Sequence, residues 1–238
     1  PTIHLFGNTD IHLDPAIVSE FANAVYRFGH SMLDENVPIF QLNPDGTPLI
    51  GPDGQPVLTE MGLIEAFTNP LALAAGGADM TAQIVQGTTH QIGSEIDEFV
   101  TGALRNNLLG LPLDLAALNI ARGRDTGVAP LNLVRNEIYS QTHDTALKPY
   151  ENWDEFRQFL KHDASIINFL AAYGTHASIL AETTLAGKRA AALALVSMGI
   201  DPASQIGDAA HQDAFNFMHS LGAYANDVSN PLAVHGQW

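Results

Sequence analysis

Between Phe21 and Leu33 the sequence reads FANAVYRFGHSML, and Phe21, Ala24, Val25, Phe28 and Met32 fall at offsets of 0, 3, 4, 7 and 11, the repeat of one helical face. The pattern predicts an amphipathic helix that runs to about Leu33. Asp14 is the expected N-cap, with Pro15 at the first helical position and Glu20 in the early helix. Arg27 and His30 are three residues apart, so they project to one side of this helix and can reach a common object.

A second stretch has the same spacing. In LDLAALNIARGRD, residues 113–125, Asn119 and Arg122 are again three apart, with a charged turn directly behind them. A group able to engage a neutral imidazole and guanidinium ions together is haem, through its iron and its propionate oxygens. The ordinary alternative for a histidine on an apolar helix is a hydrogen-bonded core residue.

Together the two blocks resemble the animal-type haem peroxidase family, also found in bacteria. FANAVYRFGHSML is similar to the family's proximal-histidine helix, and LDLAALNIARGRDTG is similar to its second signature, in the family's order. The resemblance implies a mainly α, animal haem peroxidase-like helical domain and haem b as cofactor. It further implies that His30 is the axial iron ligand, Asn119 its hydrogen-bond partner, and Arg27 and Arg122 the propionate partners. Where the family often has histidine, this chain has Thr126, and no role is carried to that position. The resemblance is strong over residues 21–34 and 113–135 and loose after Trp153.

The family's catalytic base is a histidine in a Gly-Gln-x-x-Asp-His-Asp motif upstream of the proximal helix. Only 29 residues precede His30, and the motif is not among them. His4 and His12 lack that context and are expected to be solvated. The terminal His235-Gly236-Gln237-Trp238 echoes the start of the motif without its histidine or acids, and is read as loop. Residues 1–238 are therefore expected to form one incomplete domain, the proximal half, lacking the distal segment and a C-terminal block. A start at Pro1 without methionine fits a processed or excerpted piece. Any covalent haem ester and any calcium site would come from the missing segment.

The remaining chain predicts short elements. Residues 39–58 hold two Pro-Asp-Gly turns, at 44–46 and 52–54, between apolar runs, which predicts a small β-hairpin or ordered loop. Asp45 and Asp53 lack an EF-hand's alternating acids and closing glutamate, so they are read as turn residues. A short helix is expected over 60–73, stopping before Asn69-Pro70, with a break at Gly76-Gly77. Another is expected from Ser94 to Leu109, burying Ile96, Phe99, Val100, Ala103, Leu104 and Leu108. Further helices are expected after Pro130, over 152–170, 176–198 and about 209–225.

Composition narrows the function. The chain is 46% hydrophobic and 15% charged, with leucine and alanine dominant, which fits an α-rich globular domain. A formal charge of −16 disfavours nucleic acid and anionic membranes as partners. Arg124 and Arg135 are expected to form ordinary carboxylate pairs. The absence of cysteine excludes disulfides and thiolate ligation of a metal. The sequence has neither a signal-peptide pattern nor an 18-residue apolar run, and no Asn-x-Ser/Thr site. No His-Glu-x-x-His, Gly-x-Ser-x-Gly or phosphate-loop motif is present.

The function expected from these readings is a haem-dependent peroxidase, bacterial in character and part of a secreted protein. It would use hydrogen peroxide to oxidise a halide, phenol or metal ion, with this chain supplying the proximal haem site. Its partners would be hydrogen peroxide, a small reductant and the rest of the peroxidase domain. The alternatives are a haem-free structural or adhesive module that keeps the fold, and a fatty-acid dioxygenase of the cyclooxygenase type. The last needs a radical tyrosine in a motif that none of the five tyrosines occupies.

Overall fold

The computed structural model describes residues 16–225, 227, 230 and 232. Asp14, Pro15, His4, His12 and the His235–Trp238 tail lie outside them. The described chain is mainly helical, with one two-stranded sheet, and among its residues no helix is long and apolar enough to cross a membrane.

The first helix differs from its expected form. Helix α1 spans only Ser19–Asn23, because Ala24 leaves the helical region at φ −122°, ψ −69°, and residues Val25–Met32 then form a 3-10 helix. Among the described residues, most of the apolar stripe is left exposed. Val25 is 59% exposed and Phe28 55%, while Ser31 is the buried residue of the segment.

The expected hairpin forms. Strands β1 (Asn36–Phe40) and β2 (Leu58–Gly62) pair antiparallel, with Ile39 opposite Thr59. Between them, isolated bridges join Leu42 to Pro48 and Ile50 to Pro56. Each Pro-Asp-Gly turn is closed by its aspartate. Asp45 Oδ1 accepts from the Thr47 backbone N–H and Asp53 Oδ1 from that of Gln55, both at 3.0 Å. Glycines follow at φ 82° and 75°, the left-handed conformation such turns require.

Helix α2 (Leu63–Thr68) ends where Asn69-Pro70 begins the longer α3 (Pro70–His90). Pro70 sits in its first turn and Asn69 caps it through Ala72 N–H, so this proline starts a helix as well as stopping one. The break at Gly76-Gly77 appears as a kink at Gly77, φ 60°, ψ −146°. Helix α3 packs on β1, where a Cβ at Gly87 would lie 2.1 Å from the Pro38 carbonyl oxygen. No larger residue fits that joint as it stands.

The predicted helix over 94–109 is mostly absent. Only α4 (Gly102–Asn106) is helical, followed by a short 3-10 turn at Leu108–Gly110. Ala103 and Leu104 are buried as expected, whereas Ile96 and Phe99 are exposed. Residues 95–101 are held non-helical by side-chain anchors to distant elements, which outweigh local periodicity. Helices α5 (Leu115–Asp125) and α6 (Leu131–Thr142) follow as predicted, α5 capped by Asp114.

The C-terminal core lies among α7 (Trp153–Arg157), α8 (Asp163–Tyr173), α9 (Ala177–Leu180), α10 (Leu185–Gly199) and α11 (Ala209–Met218). The expected helices over 152–170 and 176–198 are each split in two, and the last ends at Met218 before a 3-10 turn at Gly222–Tyr224. Trp153, Ile166, Leu170, Ala192, Phe217 and Met218 form its buried centre. Each fully buried large apolar side chain there contributes about 1.5–3 kcal/mol. Asn132 on α6 is fully buried too. It donates to the carbonyls of Tyr150 and Leu232 and accepts from Tyr150 N–H, tying α6 to the far end of the described chain.

Candidate functional site

The 3-10 geometry changes what the spacing of Arg27 and His30 means. At three residues per turn, side chains at i and i+3 lie in line rather than offset. Both residues line one open cleft of about 250 Å³, with Phe28, Phe99, Ala116 and Asn119 among its other walls. Burial, and then the nearby Arg27 guanidinium, hold the His30 imidazole below the ordinary histidine value. His30 is therefore neutral over a wider acidic range than a free histidine.

Helix α5 brings Asn119 to this imidazole, with Asn119 Nδ2 lying 3.1 Å from His30 Nδ1 across a separation of 89 residues. Asn119 Oδ1 is buried without a hydrogen-bond partner. Rotating the amide by 180° is sterically equivalent and presents that oxygen to Nδ1–H. The ring's other nitrogen, Nε2, then carries a free lone pair. A neutral imidazole, oriented by an amide and opening on a cleft, has the chemistry of an iron ligand.

The arginines divide. Arg27 shares the cleft with His30 and Asn119, whereas Arg122 is exposed on α5 and does not line it. Neither makes an ion pair or side-chain hydrogen bond among the described residues. Among the described residues, Arg124 and Arg135 do not form the carboxylate pairs expected of them. Arg124 reaches the Tyr173 hydroxyl at 3.5 Å. Arg135 donates to the carbonyls of Ala146 and Lys148 and lies 4.1 Å over the Tyr150 ring. Backbone carbonyls, like carboxylates, accept from guanidinium N–H groups, and here they take the place of an acidic partner.

One wall of the cleft comes from residues with no sequence motif. Asp97 and Glu98 line it, and both reach α8. His162, the N-cap residue of α8, places Nε2 at 2.9 Å from Asp97 Oδ2 and 3.5 Å from Glu95 Oε2. Separations of 65 and 67 residues hid these contacts from local reading.

A second histidine is arranged differently. His176 is buried, with Nδ1 2.8 Å from Ser178 Oγ and Nε2 3.0 Å from Asp213 Oδ2. Asp213 Oδ1 also accepts from the Tyr224 hydroxyl at 2.9 Å. Both ring nitrogens are occupied, and Ser178 N–H also donates to Nδ1, so this histidine serves as the N-cap of α9.

Comparison with known proteins agrees with the sequence motifs. The family model described as animal haem peroxidase matches residues 3–184. The chain is 29% identical over 150 residues to Peroxinectin A of Dictyostelium discoideum, covering 61% of this chain and 24% of that protein. It is 34% identical over 127 residues to Peroxidasin of Drosophila melanogaster, covering 52% of this chain and 8% of that protein. It thus spans a quarter or less of these relatives. Among solved structures, Peroxidase A from Dictyostelium discoideum superposes with a TM-score of 0.50 at 17% identity, covering 92% of this chain and 41% of that one. The structural likeness establishes a shared helical fold, and the family match over most of its length establishes that the chain belongs to the animal haem peroxidase family.

Proposed function

We propose that this chain supplies the proximal side of a haem b site in a peroxidase. The observation that carries the reading is the His30–Asn119 contact at 3.1 Å, opening on a cleft that Arg27 also lines. His30 would offer Nε2 to iron, and Asn119 would accept from Nδ1–H and fix the ring. Arg27, and Arg122 from α5, would take the propionates. When bound, haem supplies the redox centre at which hydrogen peroxide is reduced and a halide, phenol or metal ion is oxidised in turn.

The chain's own residues account for the proximal half of that chemistry. A neutral amide beside His30 leaves the imidazole less anionic than a carboxylate would, which weakens its donation to iron and favours a higher reduction potential. Arg27 has a double effect. It offers a cation to an anionic ligand, and it disfavours protonation of His30, keeping the ring's lone pair available. The base that moves a proton between peroxide oxygens, any covalent haem link and any calcium would come from another segment of a longer, secreted protein.

A haemin titration of this chain tests the reading. A saturable Soret band is expected, with affinity reduced at least about tenfold in His30→Ala. A band indifferent to that substitution would overturn the assignment of His30. Asn119→Asp is expected to lower the reduction potential of the bound haem in a redox titration, and an unchanged potential would remove Asn119 from the pair.

A further inference from the structure

The strip Asp97–Val100 has no regular secondary structure, yet it separates two clefts. One is the His30 cleft. The other, of about 410 Å³, is lined by Ser31, Asp34, Glu35, Ser94 and Thr101. Ser31, Asp97, Phe99 and Val100 border both. Whatever holds this strip therefore sets the shape of the wall beside the His30 imidazole.

Its holds are specific. The Asp97 backbone N–H donates to Ser31 Oγ at 3.3 Å, and Ser31 is the buried neighbour of His30, its hydroxyl donating to the Phe28 carbonyl at 3.0 Å. The Asp97 carboxylate is divided between two partners. Oδ1 accepts from Phe99 N–H at 2.8 Å, and Oδ2 accepts from His162 Nε2 at 2.9 Å. Its side chain is only 13% exposed, so these bonds are little shared with water. The Phe99 ring stands edge-on to His162, with centroids 5.4 Å apart, and lines the His30 cleft. Glu98 fastens the strip independently, accepting from Lys161 N–H at 3.1 Å and from Ser165 Oγ at 2.6 Å.

We propose that Asp97 is a positioning residue for His30, joining the 3-10 helix that carries the imidazole, through Ser31, to helix α8, through His162. The functional meaning of this rests on the reading of His30 as the proximal ligand, but the juxtaposition does not. Three segments meet at one carboxylate-bearing residue: the 3-10 helix at Ser31, the irregular strip at Asp97 and the N-cap of α8 at His162. A 3-10 helix of eight residues is unusually long, and it gains an external anchor at the residue next to its histidine. His162 is the outer partner. Its own surroundings are Glu95, Asp97 and Lys161, with Glu98 one residue along the strip.

The test uses the whole chain with 15N-labelled histidine at pH 8. The His30 ring signals are assigned by their disappearance in His30→Gln. In the wild type one tautomer is expected to dominate. In Asp97→Ala and His162→Ala the ring is expected to move toward the tautomer mixture of free histidine. Asp97→Asn is expected to restore the wild-type signals, because its amide oxygen still accepts from Phe99 N–H and its NH2 can donate to a neutral His162. Ser165→Ala, which loosens Glu98 and leaves Asp97 untouched, is expected to change nothing at His30. Unchanged His30 signals in folded Asp97→Ala, or an equal change in Ser165→Ala, overturn the proposal. Should Asp97→Ala fail to fold, His162→Gln at a half-exposed side chain decides in its place. A parallel haemin titration is expected to show about tenfold weaker binding in Asp97→Ala. Absence of haemin binding by the wild type would defeat the haem reading alone, since the ring signals still decide the positioning role.

Discussion

His30 and His176 sit in opposite surroundings. His176 lies in the C-terminal core, both ring nitrogens engaged by Ser178 and Asp213, with Phe217 and Tyr224 against its ring. His30 lies on a 3-10 helix at an open cleft, with Asn119 on one nitrogen and exposed apolar neighbours on either side. The same contrast extends to their surroundings. The C-terminal helices share a large continuous core centred on Trp153, Ile166 and Met218, while the core around α2 and α4 reduces to Leu63, Ala103 and Leu104 with partly buried neighbours. A saturated histidine in a closed core holds a fold together. A histidine with one ring nitrogen engaged, at an open cleft, contributes less to holding the fold together.

Substitutions on the two sides should differ most in stability. Ile166→Ala or Leu170→Ala, each removing a fully buried side chain, is expected to cost about 2–5 kcal/mol in urea unfolding. Phe28→Ala, at an exposed position, should change stability by about 0.5 kcal/mol or less. Equal costs would erase the distinction between the regions. An intermediate effect is expected at a tight backbone joint of the N-terminal half, where Gly87→Ala forces a methyl against the Pro38 carbonyl and should cost about 1–3 kcal/mol.

Titration separates the regions more finely. Burial, with Asp213 next, pushes the Tyr224 hydroxyl up to about 12 from its ordinary value of 10.0. The folded state thus holds this proton more tightly than the unfolded chain. Its contribution to stability is complete below pH 10 and is lost as pH rises toward about 12. Tyr224→Phe should flatten that alkaline decline in urea unfolding measured across pH. His30 has the opposite sign. Its depressed value means that folding is favoured most above 6.5 and loses stability as pH falls from there through the folded value. His30→Gln should make the acid limb of the stability curve shallower, the smallest of these effects because the ring is only partly buried.

Part of the cleft was legible because some of its residues sit in two local motifs. Arg27 and His30 belong to one motif and Asn119, on α5, to the other, whereas Arg122 of that second motif does not line the cleft. The hairpin was legible for a similar reason, since each aspartate-glycine turn is closed by atoms two residues apart. Three features escaped. The helix expected to run to Leu33 stops at Asn23, because Ala24 leaves the helical region and a 3-10 helix follows. Most of α3 was missed because its glycine pair reads as a break, although the helix resumes beyond Gly77. The helix expected over 94–109 gave way to Asp97 and Glu98 anchors, whose partners on α8 lie more than sixty residues away. Periodicity measures how a segment packs alone and has no access to such partners.

Asn132 makes one further demand, on time. Its amide is satisfied only when Tyr150 and Leu232 are both in place, the latter 100 residues further along the chain. At about 5–20 residues per second, a ribosome adds that stretch in roughly 5–20 s. During this interval α6 has been made while the residue that completes its buried bond has not. The N-terminal cleft, built from residues up to Ile120, has by then been synthesised in full apart from its tie to α8. The nascent chain therefore presents His30 and Asn119 well before its C-terminal core can close.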